Sequence, residues 1–175
     1  MKSSSTSPAL KSRRSHFTGF DSVRSRDVRT AIKAHQAWLV SHPDRERCAR
    51  YLAYTDMNYL THYELCQQDL SYASFEHSSL TGCKLIGSNL TGCDFTNAEL
   101  SHTNWLGVTL LGPELLTVGP MNEAVVPQRF LPWLAVHPNF ALFKLTVVDE
   151  ETERGLLEQY AARRQLSQGA PKRVR

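Results

Sequence analysis

The sequence predicts a mainly β fold, a short β-solenoid with helical caps, and three observations support this prediction. Between residues 58 and 117 a large apolar residue returns at every fifth position. A small residue stands two places before most of these centres. A strand repeats about every 2 residues and a helix about every 3.6, whereas a chain that turns a corner after each five-residue unit produces this pattern. The centres that we predict to fill the core are Leu65, Leu70, Phe75, Leu80, Leu85, Leu90, Phe95, Leu100, Trp105 and Leu110.

The five-residue units follow one local pattern. Its clearest copies are Ala98-Glu99-Leu100-Ser101-His102, Ser88-Asn89-Leu90-Thr91-Gly92 and Cys93-Asp94-Phe95-Thr96-Asn97. This pattern resembles the pentapeptide-repeat family, whose consensus is approximately Ala-(Asp/Asn)-Leu-x-x. The resemblance implies a right-handed quadrilateral β-solenoid with about four units in each square coil, so residues 58–117 would make about three coils.

Glycines recur at one position of the unit, the second after the centre. A chain that bends at a corner there benefits from a residue without a Cβ atom. We therefore predict that these glycines mark the corners of the solenoid: Gly82, Gly87, Gly92, Gly107 and Gly112.

The N-terminal part is predicted to be a flexible basic tail followed by a helical cap. Residues 1–22 are rich in Ser, Thr, Lys and Arg and carry little apolar surface that could stabilise an ordered structure. Residues 23–57 predict a hairpin of two helices with a turn at Pro43. The stack of coils needs a cap at each end, because its terminal strands would otherwise have unpaired backbone groups.

The C-terminal part is predicted to be an irregular wrap, a strand and a helix within residues 118–166, followed by a basic tail at 167–175. Five prolines between residues 113 and 138 indicate the irregular wrap. The strand is predicted over Phe140–Val148 and the helix over Asp149–Gln165. Two apolar sets accompany them, a cluster that would cover the last coil and a stripe along the helix: Phe130, Leu131, Trp133, Leu134 and Val136, and Leu156, Leu157, Tyr160 and Ala161.

No motif for catalysis or cofactor binding occurs in the chain. A phosphate loop, a dinucleotide fingerprint, a nucleophile elbow and a HExxH helix are all absent from the sequence, and the four cysteines lack a zinc-site spacing. Cys83 and Cys93 occupy the small inward position and are predicted to be core residues, whereas Cys66 is predicted to face outward. We predict no catalytic residue, no metal site and no cofactor.

An acidic surface and a basic region are the candidate interaction sites. Some pentapeptide-repeat proteins imitate the DNA duplex at a topoisomerase, so the resemblance makes an acidic face formed by Glu76, Asp94 and Glu99 a candidate duplex mimic. About three coils would be only about 14 Å tall, which is short for this role. The basic candidates indicate at most a non-specific contact with nucleic acid or an acidic membrane, because only Phe17 and Phe20 are available to stack on bases, and an acidic protein surface would use the same residues equally well: Lys11, Arg13, Arg14, Arg24, Arg26 and Arg29.

The leading functional hypothesis is therefore a non-enzymatic protein-protein interaction module. Its partner is expected to be another protein, and a homodimer could form through the region Phe130–Ala161. The alternatives are an inhibitor of a DNA-handling enzyme by acidic duplex mimicry, and a secreted bacterial effector or phage accessory protein suggested by the Ser-rich basic start. With no apolar run that could span a membrane, the expected location is the cytoplasm.

Overall fold

The computed structural model of the chain describes residues 25–42, 60 and 62–169. The helices are α1 (Ser25–Ser41), α2 (Leu131–Leu134) and α3 (Glu150–Gly169), and the strands are β1 (Val125–Pro127) and β2 (Thr146–Val148). Three short 3₁₀ helices lie at Pro113–Leu116, Gln128–Phe130 and Phe140–Leu142. The tail at 1–22, the second helix of the predicted N-terminal hairpin and the last residues of the C-terminal tail, from 170 on, lie outside the described residues.

Parallel β-bridges hold the repeat segment together. They join residues twenty positions apart: Glu64 with Lys84, Asp69 with Asn89, Ser74 with Asp94, Ser79 with Glu99, Lys84 with Asn104, and Asn89 with Thr109. Backbone hydrogen bonds follow the same spacing, as from Leu65 N–H to the Lys84 carbonyl at 2.9 Å. Backbone groups of one turn of chain are therefore paired with those of the next, which is the pairing of a β-solenoid.

The chain adopts a left-handed backbone conformation at the second position after the centres. Gly82, Gly87, Gly92 and Gly107 have φ between 67° and 70°, which confirms that these glycines mark bends. Other units place a larger residue there, such as His62 with a φ of 60°. A Cβ atom on Gly82 would lie only 2.2 Å from the His62 ring, so a larger residue at this corner would require that ring to move.

The repeat centres fill the interior of the solenoid. Those from Leu65 to Trp105 are completely buried, and the Phe95 ring stacks on Phe75 at 5.3 Å and meets Trp105 edge-on at 5.6 Å. Leu110 departs from the prediction, since it is only half-buried. It follows Thr109, the last bridged residue of its wall in the described chain, so no further turn of solenoid covers it.

The small inward residues also form hydrogen bonds. The Cys83 thiol donates to the Leu60 carbonyl at 2.7 Å and the Cys93 thiol donates to the Leu70 carbonyl at 3.1 Å. The hydroxyl of Ser88 donates to the Leu65 carbonyl in the same way. The residues at the small inward position therefore also connect one turn of the solenoid to the preceding one.

Helix α1 packs against the beginning of the repeat segment. Its buried residues include Val28, Ile32 and Leu39, which follow a three- and four-residue spacing. His35 is also buried, and its Nε2 atom lies 3.0 Å from the Ser71 carbonyl. The apolar side of this helix is thus the side that meets the solenoid.

The region after the repeat differs from the prediction in two respects. The strand predicted over Phe140–Val148 is wrong for its first half, which contains the 3₁₀ helix Phe140–Leu142, and only β2 is a strand in this range. Strand β1 lies in the segment predicted to be irregular and pairs with β2 in parallel. Because Val125 also bridges to Asn104, β1 extends one ladder of the solenoid. Within the predicted apolar cluster Phe130 and Leu134 are buried, but Val136 is 69% exposed.

Helix α3 covers one wall of the solenoid. Cys66, Ile86 and Leu106 occupy equivalent positions of that wall, one after a centre, and all are buried. The prediction that Cys66 faces outward is wrong, because Tyr160 of α3 lies against it. The predicted helix stripe is also partly wrong, since Leu156 and Ala161 are exposed, and Glu153, Leu157 and Tyr160 are the residues turned toward the wall.

Candidate binding groove

A groove of about 950 Å³ lies between α1, α3 and the wall of the solenoid. The described residues of all three elements that line it are Arg29, Ile32, Lys33 and Gln36 of α1; Tyr160, Arg163, Arg164 and Ser167 of α3; and His62, Tyr63, Glu64, Cys66, Gln68 and Lys84 of the solenoid. We call this feature the basic groove, because five of these side chains are Lys or Arg and one is an acid.

The two helices line the groove with side chains at the same spacing. Residues 29, 32, 33 and 36 of α1 have the same spacing as residues 160, 163, 164 and 167 of α3. This spacing of three and four places side chains on one side of a helix. Each helix therefore packs one side on the solenoid and turns the neighbouring side toward the groove.

Only part of the positive charge is neutralised inside the molecule. The Lys84 ammonium lies 2.7 Å from the Glu64 carboxylate, and both side chains are more than half exposed. This hydrogen bond and the charge of Lys84 lower the pKa of Glu64, and the same contact raises the pKa of Lys84. Within the described part of the chain, Arg29, Lys33 and Arg163 have no carboxylate at ion-pair distance.

A contact between Tyr160 and Cys66 fixes the α3 side of the groove. The Cys66 thiol beside the Tyr160 hydroxyl, together with burial, raises the pKa of Tyr160. The Cys66 thiol in turn donates to the Lys84 carbonyl at 3.4 Å. This connection holds the last turns of α3 beside the wall, where Arg163 and Arg164 reach the groove.

Comparison with known protein families concerns the repeat segment. A family model for pentapeptide repeats matches residues 64–97 and 73–104, with eight copies. Residues 64–104 are pentapeptide repeats. This match confirms the resemblance drawn from the sequence. No curated protein matches the chain.

The predicted acidic face belongs to the corners of the pentapeptide repeats. The side chain before a centre accepts a hydrogen bond from the backbone amide two residues later, as Asp94 does from Thr96 at 3.0 Å and Glu99 from Ser101 at 2.9 Å. Asp94 and Glu99 are half-buried, and Glu76 lies 3.8 Å from the His77 ring. Sequence reasoning missed this role, although the recurrence of Asp and Asn at that position was its signal.

The same hydrogen bond recurs at three further pentapeptide corners. The side-chain oxygen of Asp69 accepts from Ser71 N–H, that of Asn89 from Thr91 N–H, and that of Asn104 from Leu106 N–H. Asn serves as well as Asp, so these corners need a side-chain oxygen and do not need a charge.

The predicted basic region is only partly described. Arg29 lines the basic groove. Arg26 belongs to α1, but its side chain is not described. Lys11, Arg13, Arg14 and Arg24 lie outside the described residues. The residues that sequence reasoning did not assign to the groove are Lys33, Lys84, Arg163 and Arg164. Their signal was the shared helical spacing, which becomes meaningful only once α1 and α3 are known to be neighbours.

Neither a cluster of metal ligands nor a membrane-spanning helix is found among the described residues. No group of three or more His, Cys, Asp or Glu side chains there could hold a metal ion. No helix in the same part of the chain is long and apolar enough to cross a membrane.

Proposed function

We propose that the chain is a non-enzymatic protein-protein interaction module in which the pentapeptide repeats form a rigid mount and the basic groove is the binding site. The mount would have about four repeats in each of about three coils, as the resemblance implies. Its rigidity follows from hydrogen bonds that connect successive turns and from a completely buried row of centres.

The observation that carries this proposal is the convergence of cations from two distant parts of the chain. Arg29 and Lys33 come from α1 and Arg163 comes from α3, yet all three line one groove and none has an acidic partner within the described residues. Exposed like charges that share a groove repel one another, which costs the free protein some stability. An acidic binding partner would remove this repulsion, so the arrangement favours such a partner.

A non-enzymatic function is supported by the way the repeats use their reactive side chains. Cys83, Cys93 and Ser88 donate hydrogen bonds to carbonyls in the core, away from solvent. A nucleophile needs access to substrate, and these three side chains are buried.

Duplex mimicry has less support than binding in the basic groove. A mimic must present its carboxylates freely to the partner, whereas Asp94 and Glu99 are half-buried and hold the corners of their own repeats. The acidic face therefore already has a structural explanation.

A capture experiment tests the proposed site. The intact chain, a groove variant with Lys33→Glu and Arg163→Glu, and a control variant with Lys144→Glu and Arg154→Glu would be immobilised and exposed to the same lysate. The control changes the same charge at exposed positions outside the groove lining. Because both positions lie within the region 130–161, the mass of the control in solution must equal that of the intact chain. Proteins retained by the intact chain and the control but lost by the groove variant would support the proposal. Equal retention by all three would overturn it.

Homodimerisation through the region 130–161 is a further part of the proposal. Val136 is 69% exposed and Leu142 is 71% exposed, so this region carries apolar surface that a second copy could cover. A mass measurement in solution on the intact chain and on Val136→Lys with Leu142→Lys would test it. A monomeric mass for the intact chain would contradict dimerisation. The cytoplasm remains the compartment that we propose for this module.

A further inference from the structure

Resting on the proposed function, we propose that the basic groove binds an acidic amphipathic helix of a partner protein, about two turns long, between α1 and α3. The flanks of this helix would carry Asp or Glu, and an apolar stripe between them would face the solenoid wall.

The length and form of the groove fit a helix. Each flanking helix contributes side chains over seven residue steps, from 29 to 36 and from 160 to 167. At about 1.5 Å per residue this amounts to about 10 Å of helix, or two turns. Helices that bind in grooves place anchors at the same three- and four-residue spacing that α1 and α3 show.

The backbone groups of Tyr63, Leu65 and Lys84 on the floor of the groove are already paired with one another, so they are not free to bind an added strand. The Lys84 amide donates to the Tyr63 carbonyl at 3.1 Å, and the Leu65 amide donates to the Lys84 carbonyl at 2.9 Å. Addition of a strand requires a row of unpaired amides and carbonyls. The floor offers side chains instead, and side chains are what a docked helix contacts.

The distribution of charge and burial predicts the chemistry of the bound helix. The cationic side chains Arg29, Lys33 and Arg163 are exposed, whereas Tyr63 of the wall and Tyr160 of α3 are half-buried and present part of their rings to the groove. A partner helix would therefore meet apolar surface along its middle and positive charge along its flanks. Complementary charges at such a rim chiefly determine specificity and the rate of association.

Single-stranded nucleic acid is the competing occupant, because Tyr63 and Tyr160 line the groove and tyrosines can stack on bases. The length of the groove favours the peptide, because single-strand sites track about 4 or more nucleotides of backbone, which is longer than two helical turns.

The terminal tails of the chain itself do not complement the groove. Residues 1–22 and 170–175 are rich in Lys and Arg, so either tail would bring positive charge to a positive groove.

Binding of defined probes to the full chain tests the inference. The main probe is a fluorescein-labelled peptide of about 14 residues with Glu on both flanks of a Leu stripe, long enough to include the two turns. Three comparison probes are the same peptide with two central prolines, the same peptide with Lys in place of Glu, and a deoxythymidine oligonucleotide of equal net charge. Fluorescence anisotropy is measured with the intact chain, the Lys33→Glu and Arg163→Glu variant, and the Lys144→Glu and Arg154→Glu control, after circular dichroism has shown that all three are folded.

We expect the acidic helical peptide to bind the intact chain and the control equally, and to bind the groove variant at least about tenfold more weakly. We also expect the proline and lysine peptides to bind at least about tenfold more weakly than the acidic helical peptide, because they lose the helix and the charge complementarity, respectively. Equal binding of the proline peptide, tighter binding of the oligonucleotide, or no binding of the acidic helical peptide would overturn the inference. If lysate proteins are nevertheless captured through the groove, the proposed function stands and only the acidic helix is wrong.

Discussion

The carboxylate of Glu153 accepts a 2.7 Å hydrogen bond from the backbone amide of Gly107, which lies 46 residues earlier in the chain. Glu153 is buried and also pairs with Arg129, whose guanidinium donates to the Val108 carbonyl at 3.0 Å. One acidic side chain therefore connects α3, a repeat corner and the segment after β1. Because α3 forms one side of the basic groove, this contact helps to hold that side on the solenoid.

Replacing Glu153 with alanine is expected to lower the free energy of unfolding by about 2 kcal/mol, since the Gly107 amide loses its acceptor and Arg129 loses its partner. Urea unfolding followed by circular dichroism measures this change. Glu158→Ala is the matched control, because Glu158 is exposed on the same helix, and its effect should stay within about 0.5 kcal/mol. Similar losses for the two variants would contradict the anchoring role of Glu153.

Gly107→Ala is expected to destabilise the protein more than Gly87→Ala does. Both glycines have nearly the same φ, 67° and 68°, so a Cβ atom at either costs about 1–2 kcal/mol. At Gly107 the added atom would also lie 3.1 Å from a Leu157 methyl carbon of α3, whereas at Gly87 its nearest neighbour is Gln67 Cγ at 3.4 Å. Urea unfolding of the two variants measures the difference.

The combination of Gly107→Ala with Leu157→Ala separates the two contributions. If the extra loss at Gly107 comes from α3, it should disappear when Leu157 is already shortened. An extra loss that persists would show that the backbone, and not the helix contact, distinguishes the two corners.

The interior of the repeat segment could be predicted because the pattern is local. Every fifth residue returns to an equivalent place, so Leu65 and Trp105 receive the same environment although 40 positions separate them. The placement of α3 could not be predicted in this way. Apolar side chains at both Leu156 and Leu157 leave the orientation of the helix open, and the anchoring residue Glu153 is charged, so a hydrophobic pattern does not identify it.

Asp94→Asn is expected to leave stability nearly unchanged, whereas Asp94→Ala should lower the free energy of unfolding by about 1 kcal/mol. The reason is that the Asp94 carboxylate accepts hydrogen bonds from both the amide and the hydroxyl of Thr96, and the oxygen of an asparagine amide can replace it. Thermal or urea unfolding distinguishes these cases. Equal destabilisation by both substitutions would show that the charge, and not the acceptor, matters at this corner.

Neutralising the acidic face with Glu76→Gln, Asp94→Asn and Glu99→Gln provides a folded variant for testing duplex mimicry. We expect the intact chain to leave DNA supercoiling by a type II topoisomerase unchanged, because these carboxylates are used within the repeats. Inhibition by the intact chain that is lost in the neutralised variant would contradict this expectation and favour the mimic.

The basic groove, like the placement of α3, could not be predicted from the sequence. Arg29 was a candidate from charge alone, whereas Arg163 and Arg164 are explained in the sequence by their position near the C-terminal end of a helix. Their role in a groove depends on contacts between segments more than 100 residues apart. Such contacts leave no periodic signal in a single sequence.

Cys83 is expected to make stability depend on pH under alkaline conditions. Burial raises the pKa of its thiol from 9.0 to about 12. Because the folded value is the higher one, the unfolded chain loses this proton first, and stability falls as the pH rises from about 9 toward 12, by up to about 1.4 kcal/mol per pH unit. Cys83→Ala should fold, since Ala73 and Ala98 fill equivalent inward slots, but it lacks the thiol that donates to Leu60. The intact chain should therefore be the more stable of the two at pH 7, and its advantage should shrink above pH 9. Urea unfolding of both proteins between pH 7 and 10.5 measures the difference, and an advantage that stays constant over this range would refute the assignment to Cys83.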